Sequence, residues 1–370
     1  MMICSNYNAN VAISKLQVEK VYIHQTGNMW SYSHHPSITF FKGRFYAIWS
    51  NGRKHEDYPG QRIMISSSED FYHWTSPKPL VDSKMGEYDE LVLTASGFHL
   101  HDDTLTAYYG QFEYTPGSYD KAADIRIKNS HMGTALYALT SHDGENWNGP
   151  VNIGIPIVPN HGPQKTASGR LIISGNTMYP YTDDPAGLTS WVKTGIYTGG
   201  WDGVYDDSET HEILSSIMGW GTCLCEGSFF QTDDGVIHML LRSDMKKLWL
   251  TESYDDGTTW SKPTEADFTN DNTKFHFGRL PDGRYYYVGS PDINGFKRCP
   301  LVLSLSEDGC KFDRHFIIAD TVYYQRIEGR NKGGVYGYPH TIIEGKDLYI
   351  ICSICKEDVA VFKVPNIISL

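Results

Sequence analysis

Ser253-Tyr254-Asp255-Asp256-Gly257-Thr258-Thr259-Trp260 directly follows an apolar, strand-like run. Shorter relatives of this stretch occur at residues 68–74, 141–147 and 306–312, each with a Ser, an Asp two residues later and then an aromatic residue. An Asp side chain can accept backbone N–H bonds of its own turn, and an aromatic ring can anchor the turn on a core. We call this strand–turn–anchor unit the Asp tag. Four copies of one unit predict a repeat architecture.

The rest of the chain consists of short, turn-bounded runs rich in β-branched and aromatic residues, without helical periodicity over any long window. The runs group into repeats of about four strands, which predicts a single all-β domain over residues 1–370, a six-bladed β-propeller. A lone strand at residues 18–24 is expected to close the ring by pairing with the last blade. The predicted blades cover residues 36–79, 91–150, 160–212, 226–262, 274–316 and 338–364.

Composition excludes several classes of function. The 370 residues carry a net charge of −12 without a basic stripe, so we expect no nucleic-acid partner. No apolar run is long enough to span a membrane, and no signal peptide is visible, so we expect a cytoplasmic protein. We also expect it to be a monomer. The seven scattered cysteines predict buried free thiols and a reducing compartment.

Asp tags in this blade phase resemble the Asp boxes of the sialidase (neuraminidase) superfamily, from about residue 36 to residue 363. The resemblance implies a six-bladed propeller and extends to single residues. Glu226 and Arg242 look like the pair in which Glu activates the nucleophile and Arg holds the substrate carboxylate. Arg298 sits where the family has another carboxylate-binding Arg, and Tyr338 matches the Tyr nucleophile. His161-Gly162-Pro163-Gln164 is similar to the opening of the third sialidase blade.

The chain departs from the sialidase pattern in blade one. Sialidases begin that blade with Arg-Ile-Pro, whose Arg completes a clamp of three arginines on sialic acid. Here the matching stretch is His34-His35-Pro36-Ser37, so the first Arg is missing. The family's catalytic acid is an Asp on the following loop, which makes Asp57 the candidate acid.

Histidines at or near blade starts point to a second chemistry. His34, His35, His161 and His340 are expected to line the channel and to contact substrate. A lyase acting on a uronic acid needs its carboxylate neutralised, a base for the C5 proton and an acid for the leaving oxygen. The two arginines could neutralise the carboxylate, and His34, His35 or Tyr338 could transfer the protons.

The sequence therefore predicts a sialidase-like hydrolase that removes a terminal acidic sugar from an oligosaccharide or polysaccharide. Tyr338 would be the nucleophile, Glu226 its base and Asp57 the acid, with Arg242 and Arg298 as carboxylate clamp. A neutral Tyr, with a pKa of about 10, needs such a base. A uronate lyase and a non-catalytic carbohydrate-binding propeller stay open as alternatives. We expect no cofactor and see no metal-ligand motif, although a central cation stays possible as a further alternative.

Overall fold

The computed structural model describes residues 3–128, 130–159, 161–198 and 222–370. Within these residues the protein is all-β, and its one helix is the short 3-10 turn Ile367–Ser369. None of the described helical segments is long and apolar enough to cross a membrane. The main sheets, numbered I to VI in chain order, form a propeller-like arrangement. Sheets I, II, IV, V and VI each contain four neighbouring antiparallel strands, and sheet III contains three.

The strands of the first three sheets follow one another along the chain. Sheet I consists of Tyr32–Phe41, Arg44–Gly52, Arg62–Ser68 and Lys78–Val81. Sheet II consists of Val92–His101, Thr104–Tyr114, His131–Ser141 and Asn148–Asn152, with the small hairpin Tyr119–Asp120 and Ile125–Arg126 beside it in sequence. Sheet III consists of Gln164–Lys165, Leu171–Ile172 and Tyr181–Thr182.

The last three sheets also take strands from the N-terminal segment. Sheet IV consists of Leu224–Gln231, Ile237–Ser243, Lys247–Ser253 and Thr264–Thr269, extended by Cys4–Ser5 and Lys311–Phe312. Sheet V consists of His276–Arg279, Tyr285–Gly289, Leu301–Ser306 and Arg314–Ala319, extended by Ser14–Lys15. Sheet VI consists of Tyr336–Glu344, Asp347–Ile354, Asp358–Val364 and Glu19–His24.

Buried apolar side chains fill the space between neighbouring sheets. Trp49 of sheet I packs in one cluster with Ile351 of sheet VI, and Leu303 of sheet V packs in another with Ile350. Comparable clusters join sheets I and II, II and III, III and IV, and IV and V. Each sheet is therefore held mainly by burying apolar surface against the next one.

The Asp tags lie where the sequence predicts them, in the turn after the third strand of sheets I, II, IV and V. In each tag the Ser hydroxyl donates to the Asp carboxylate, which also accepts backbone N–H bonds from its own turn. The aromatic anchors contribute to the clusters against the preceding sheet; they are Trp74, Trp147, Trp260 and Phe312.

Glu19–His24 pairs antiparallel with Asp358–Val364, the pairing that the sequence predicts for the strand at residues 18–24. Five predicted blades overlap four-stranded sheets, and most of their ends agree to within a few residues. The fourth strand of sheet IV, Thr264–Thr269, lies beyond the predicted end of its blade. Of the predicted blade at 160–212, residues 160 and 199–212 lie outside the described residues. The two close cysteine pairs, Cys223 with Cys225 and Cys352 with Cys355, are free thiols.

Bulges interrupt the first strand of four sheets. The register shifts between His34 and Ser37 in sheet I, Ala95 and Gly97 in sheet II, Cys225 and Gly227 in sheet IV, and Gly337 and His340 in sheet VI. A bulge leaves an unpaired residue and redirects its side chain. Three of these bulges carry residues of the candidate site.

Candidate active site

The centre of the site is a three-residue contact between sheets IV and VI. The phenol of Tyr338 donates a very short hydrogen bond to Oε1 of Glu226. Nη1 of Arg242 donates to the other carboxylate oxygen of Glu226 at 2.6 Å and to the phenol oxygen of Tyr338 at 3.1 Å. Nε of Arg242 is held at 2.6 Å from Oδ1 of Asn272. The structure thus joins three residues that lie up to 112 positions apart.

Unusual backbone conformations position these side chains. Glu226, Tyr338, Arg298 and His35 all have a positive φ, at 44°, 53°, 58° and 52°. Such conformations cost about 1–3 kcal/mol each in residues other than glycine and are concentrated at functional sites. Gly337 permits the close approach of sheets VI and I, because a Cβ there would lie 2.8 Å from the His34 ring.

Arg298 lies next to this contact with part of its guanidinium unsatisfied. Its Cζ is 5.9 Å from the centre of the Tyr338 ring, and its Nη2 donates to the carbonyl of Asn272 at 3.1 Å. Its Nε and Nη1 are buried and make no hydrogen bond within the described part of the chain. Buried charged donors are normally paired, so these two groups are suited to receive an anionic ligand.

His34 and His35 pack directly on Tyr338. Their ring centres lie 4.0 Å and 5.1 Å from the Tyr338 ring. Nδ1 of His34 lies 2.7 Å from the Ser353 hydroxyl, and Nδ1 of His35 lies 3.1 Å from that of Ser50. Burial, reinforced by the charge of Lys356, lowers the pKa of His34 well below its ordinary value, and burial lowers that of His35 to about 4. Both rings are therefore neutral near pH 7.

Three charged residues of the site have no counterpart in the sequence-based prediction. Oε1 of Glu56 accepts a 2.6 Å bond from Nζ of Lys356 and lies 4.0 Å from Nε2 of His34. Nζ of Lys274 lies 5.7 Å from the centre of the Tyr338 ring. Lys274 begins an apolar strand-like run, so an isolated charge beside apolar residues was the available signal for it. Glu56 lies among other charged residues of its loop, directly before Asp57, and had no such signal.

Asp57 is close to the site but does not form part of the central contact. It has a positive φ of 56° and lines, together with Glu56, a cavity of about 290 Å³. The other lining residues are Tyr114, Tyr119, Arg126, Arg330 and Asn331. Glu56 therefore connects the Tyr338 cluster to a cavity with room for part of a sugar.

The structure does not bring His161 and His340 to Tyr338. Both instead stack with His276 of sheet V, a residue that the sequence-based prediction missed. Of the nine residues predicted for the site, Tyr338 and five others therefore form one cluster, Asp57 lies in the adjoining cavity, and these two histidines form a separate cluster.

Electrostatics favour a protonated Tyr338 beside an ionised Glu226. Burial raises the pKa of Tyr338 well above its ordinary value, and the charge of Glu226 acts in the same direction. Burial would raise the pKa of Glu226 too, but the charge of Arg242 and the hydrogen bond from Tyr338 outweigh it and lower this pKa. Glu226 is thus ionised and accepts the hydrogen bond of the phenol, while both pKa shifts keep the proton on Tyr338 in the resting site.

Positive charge predominates around Tyr338. Two arginines and two lysines face the carboxylates of Glu56 and Glu226. Burial lowers the pKa of Lys274 to about 7 and that of Lys356 to about 8. An anion bound between these groups would keep both lysines protonated, because a nearby negative charge favours the charged ammonium. The site is therefore suited to a negatively charged ligand.

Solved structures with a similar fold include sialidases and a protein of unknown function. A chain named sialidase aligns with 99% of this chain at 19% identity and a TM-score of 0.66, and this chain spans 35% of its length. Trypanosoma rangeli sialidase in complex with 2,3-difluorosialic acid, a covalent intermediate, aligns with 95% of this chain at 13% identity and a TM-score of 0.65, with 59% of its own length covered.

A Dyadobacter fermentans protein of unknown function is similar over 93% of this chain and 97% of its own, at 16% identity and a TM-score of 0.64. No curated protein matches the chain. At these identities the likeness establishes a sialidase-like fold. The model of the BNR repeat-like domain matches residues 43–350, which include all four Asp tags. The chain belongs to the BNR repeat-like domain family.

Proposed function

We propose that the protein is a glycoside hydrolase that removes a terminal acidic sugar from a glycan. The observation that carries this proposal is the position of the Tyr338 phenol between the carboxylate of Glu226 and the guanidinium of Arg242. A phenol whose proton can move to an adjacent base, while a cation stabilises the oxygen, is an activated nucleophile. Tyr nucleophiles are the established exception to the two-carboxylate rule of glycosidases.

In the first step, the phenolic oxygen of Tyr338 forms a bond to the anomeric carbon as its proton passes to Glu226. The glycosidic bond breaks, and the leaving oxygen takes a proton from Asp57, our proposed acid. In the second step, Asp57 removes a proton from a water molecule whose oxygen replaces Tyr338 at the anomeric carbon. The proton on Glu226 returns to the phenol, which restores the site.

The acidic sugar is inferred from the unsatisfied guanidinium groups. Nε and Nη1 of Arg298 offer buried, unsatisfied N–H donors to an anionic group such as a carboxylate. His34 and His35 stand where the sialidase clamp has its first Arg, while Lys274 and Lys356 contribute positive charge nearby. Because lysines bind as point charges, the carboxylate would be held differently from a three-arginine clamp. Sialosides and terminal hexuronides are therefore the substrates to compare.

The proposed fold is a ring of six blades in one domain, in which the three-stranded sheet III counts as a blade beside the five four-stranded sheets. This is supported by the apolar clusters on both sides of sheet III, which join it to sheets II and IV. With that ring, the first strands of all blades face one channel and bring the distant site residues together.

The decisive test is a glycan panel with mass-spectrometric product detection, carried out on the wild type and on Tyr338→Phe. We expect hydrolysis of an acidic glycan by the wild type and a loss of about 10²–10⁴-fold in kcat for the variant. Tyr324→Phe is the matched control, because this tyrosine is 73% exposed on the surface. Unchanged turnover by Tyr338→Phe on the cleaved glycan would refute the proposal.

A uronate lyase is the second candidate, and the observation in its favour is the neutral His34 ring, whose centre lies 4.0 Å from that of the Tyr338 ring at an interplanar angle of 51°. A neutral imidazole beside a phenol can serve as a base–acid pair for β-elimination. The same panel separates the two reactions, since a lyase product carries a new conjugated double bond that absorbs in the ultraviolet. Binding of a glycan without any product would support a carbohydrate-binding module.

A further inference from the structure

A second group of polar side chains, three histidines that we call the histidine cluster, lies apart from Tyr338. His161 precedes sheet III, His276 lies in the first strand of sheet V, and His340 lies in the first strand of sheet VI. The ring centre of His276 lies 5.0 Å from that of His161 and 4.7 Å from that of His340. Three segments distant in sequence thus bring three imidazoles together.

Backbone contacts determine where two of these rings carry their proton. Nδ1 of His276 accepts the backbone N–H of Thr341 at 3.0 Å, and Nδ1 of His340 accepts that of Ile38 at 3.3 Å. Burial lowers the pKa of His276 to about 3 and that of His340 well below its ordinary value, so both rings are neutral near pH 7. A neutral imidazole has one N–H, and with Nδ1 as acceptor that N–H is at Nε2. His276 and His340 therefore each offer an Nε2–H donor.

The third ring, that of His161, has hydrogen-bonding capacity that the protein does not use. Both of its ring nitrogens are buried and make no hydrogen bond of normal geometry within the described residues. The Phe275 carbonyl approaches the ring without fulfilling that geometry. Because buried polar groups are normally paired, the N–H of His161 is suited to donate to a ligand.

The charge beside the histidine cluster is positive. Burial is the main cause of the lowered pKa values of the three rings, and the charge of the buried Lys274 acts in the same direction on each. In the part of the chain that the structure describes, no carboxylate contributes to the pKa shifts of His276 and His340. Glu226, whose charge acts on Lys274, bonds to Tyr338 instead. N–H donors beside an ammonium group favour a negatively charged ligand.

We propose that the histidine cluster and Lys274 form a binding site for a small inorganic anion such as chloride. Hydrogen bonds from the imidazole N–H groups to an anion are charge-assisted and therefore stronger than those between neutral partners. The ring centres lie within 6.0 Å of one another, which favours an ion of one atom over a bulky oxyanion. His340 is partly exposed, whereas His161 and His276 are buried, so the ion would enter past His340.

The bound ion would also act on the neighbouring Tyr338 through Lys274. Nζ of Lys274 lies 5.7 Å from the centre of the Tyr338 ring, and burial lowers the pKa of this lysine to about 7. A nearby negative charge favours the ammonium form. Anion binding would therefore raise the pKa of Lys274 and maintain positive charge beside Tyr338 at neutral pH, whichever reaction the site catalyses.

The first test is X-ray diffraction from crystals of the whole chain soaked in bromide, a chloride substitute that its anomalous scattering locates. We expect an anomalous peak within hydrogen-bond distance of Nε2 of His276 and of His340. This measurement needs no variant. Peaks confined to the protein surface would overturn the proposal, and so would a buried peak beside Arg298 without one at the histidine cluster.

The second test measures chloride binding in solution from the broadening of the chloride NMR signal, with bromide as the competitor. We expect a saturable broadening by the wild type that bromide removes and that is lost in Lys274→Met. Lys311→Met is the matched control and should retain it, because this lysine pairs with Asp313 at the surface. Arg298→Gln should also retain it, since Arg298 lies in the Tyr338 site. Loss of the broadening in Arg298→Gln with retention in Lys274→Met would contradict the proposal, as would its absence in the wild type.

Discussion

Arg298 is buried in the site, yet some of its guanidinium N–H groups have no hydrogen-bond acceptor among the described residues. One of its nitrogens donates to the Asn272 carbonyl, and its backbone N–H donates to Asp271 at 2.6 Å. These contacts fix the guanidinium while its Nε and Nη1 remain available. The side chain is therefore fixed, with unsatisfied N–H donors available to an anionic ligand, before any ligand arrives.

Arg298→Lys tests whether Arg298 binds the substrate carboxylate, because lysine keeps the positive charge but lacks the planar guanidinium and its N–H donors. Losing one charge-assisted hydrogen bond costs about 1.5–3 kcal/mol, so we expect KM for the acidic glycan to rise about 10–100-fold, with a smaller change in kcat. Steady-state kinetics on the cleaved glycan measure both. The control is Arg279→Lys, whose guanidinium pairs with Asp233 at the surface. An unchanged KM for Arg298→Lys would exclude carboxylate binding by Arg298.

Similarity of pattern was sufficient to predict Tyr338, Glu226, Arg242 and Arg298 from the sequence, since each follows a recognisable blade start. Glu56, Lys274 and Lys356 could not be predicted in the same way. A single charged residue that becomes buried leaves no periodic pattern in the sequence, unlike a strand. Its partner is defined by tertiary packing, as Lys356 and Glu56 show with their separation of 300 residues.

Among the elements, the Asp tags have a structural role. Oδ1 of Asp255 accepts the backbone N–H of Thr259 at 2.8 Å, and the Trp260 ring packs against Tyr179 of the preceding sheet. In the first tag, Phe71 occupies the left-handed position with φ 72°, which Gly fills in the other three. The tags therefore close turns and attach one sheet to the one before it.

Asp255→Ala is expected to lower the Tm by a few degrees, because the turn loses backbone hydrogen bonds and holds Trp260 less firmly. Turnover per folded molecule should stay unchanged. Thermal unfolding followed by circular dichroism gives the Tm, and activity is compared at a temperature where both proteins are folded. Asp267→Ala in the same sheet is the control, since that carboxylate is 73% exposed. A selective loss of turnover in Asp255→Ala would assign the tag a catalytic role.

Strand patterns in the sequence predicted most sheets because alternating burial and turn residues are local signals. Sheet III was harder to delimit for a physical reason. Its three strands are two residues long, and the stretch after Tyr179 is rich in Gly, Asp and Pro, which weaken both strand periodicity and turn placement. The bulges were also not foreseeable, because an extra residue shifts register without changing composition.

At the scale of the molecule, the interior holds an unusual number of buried ionisable groups. Burial lowers the pKa of His34, His35, His161, His276 and His340, with His35 at about 4 and His276 at about 3. An unfolded histidine titrates near pH 6.5. Below that pH the histidines of the unfolded chain bind protons, whereas the buried histidines of the native protein stay neutral. The free energy of unfolding therefore falls as the pH falls.

We expect the free energy of unfolding to decrease steadily from about pH 6.5 to about pH 4, the window between the unfolded histidine pKa and the lowered pKa of His35. Urea unfolding at several pH values measures this slope. His276→Gln should flatten it by removing one proton-binding difference, while replacement of the 88% exposed His73 by Gln should not. A slope that is identical in both variants would contradict the assignment of acid lability to the buried histidines.

The segment before residue 25 contributes one strand to each of sheets IV, V and VI, and its pairing partners lie between Asp267 and Lys363. During synthesis, these strands emerge well before their partners. Until Asp358–Val364 has left the ribosome, the edge that Glu19–His24 covers does not exist. The pairing of these two strands therefore closes a loop of more than 300 residues, with the large loop-closure entropy and slow rate typical of non-local β-pairing.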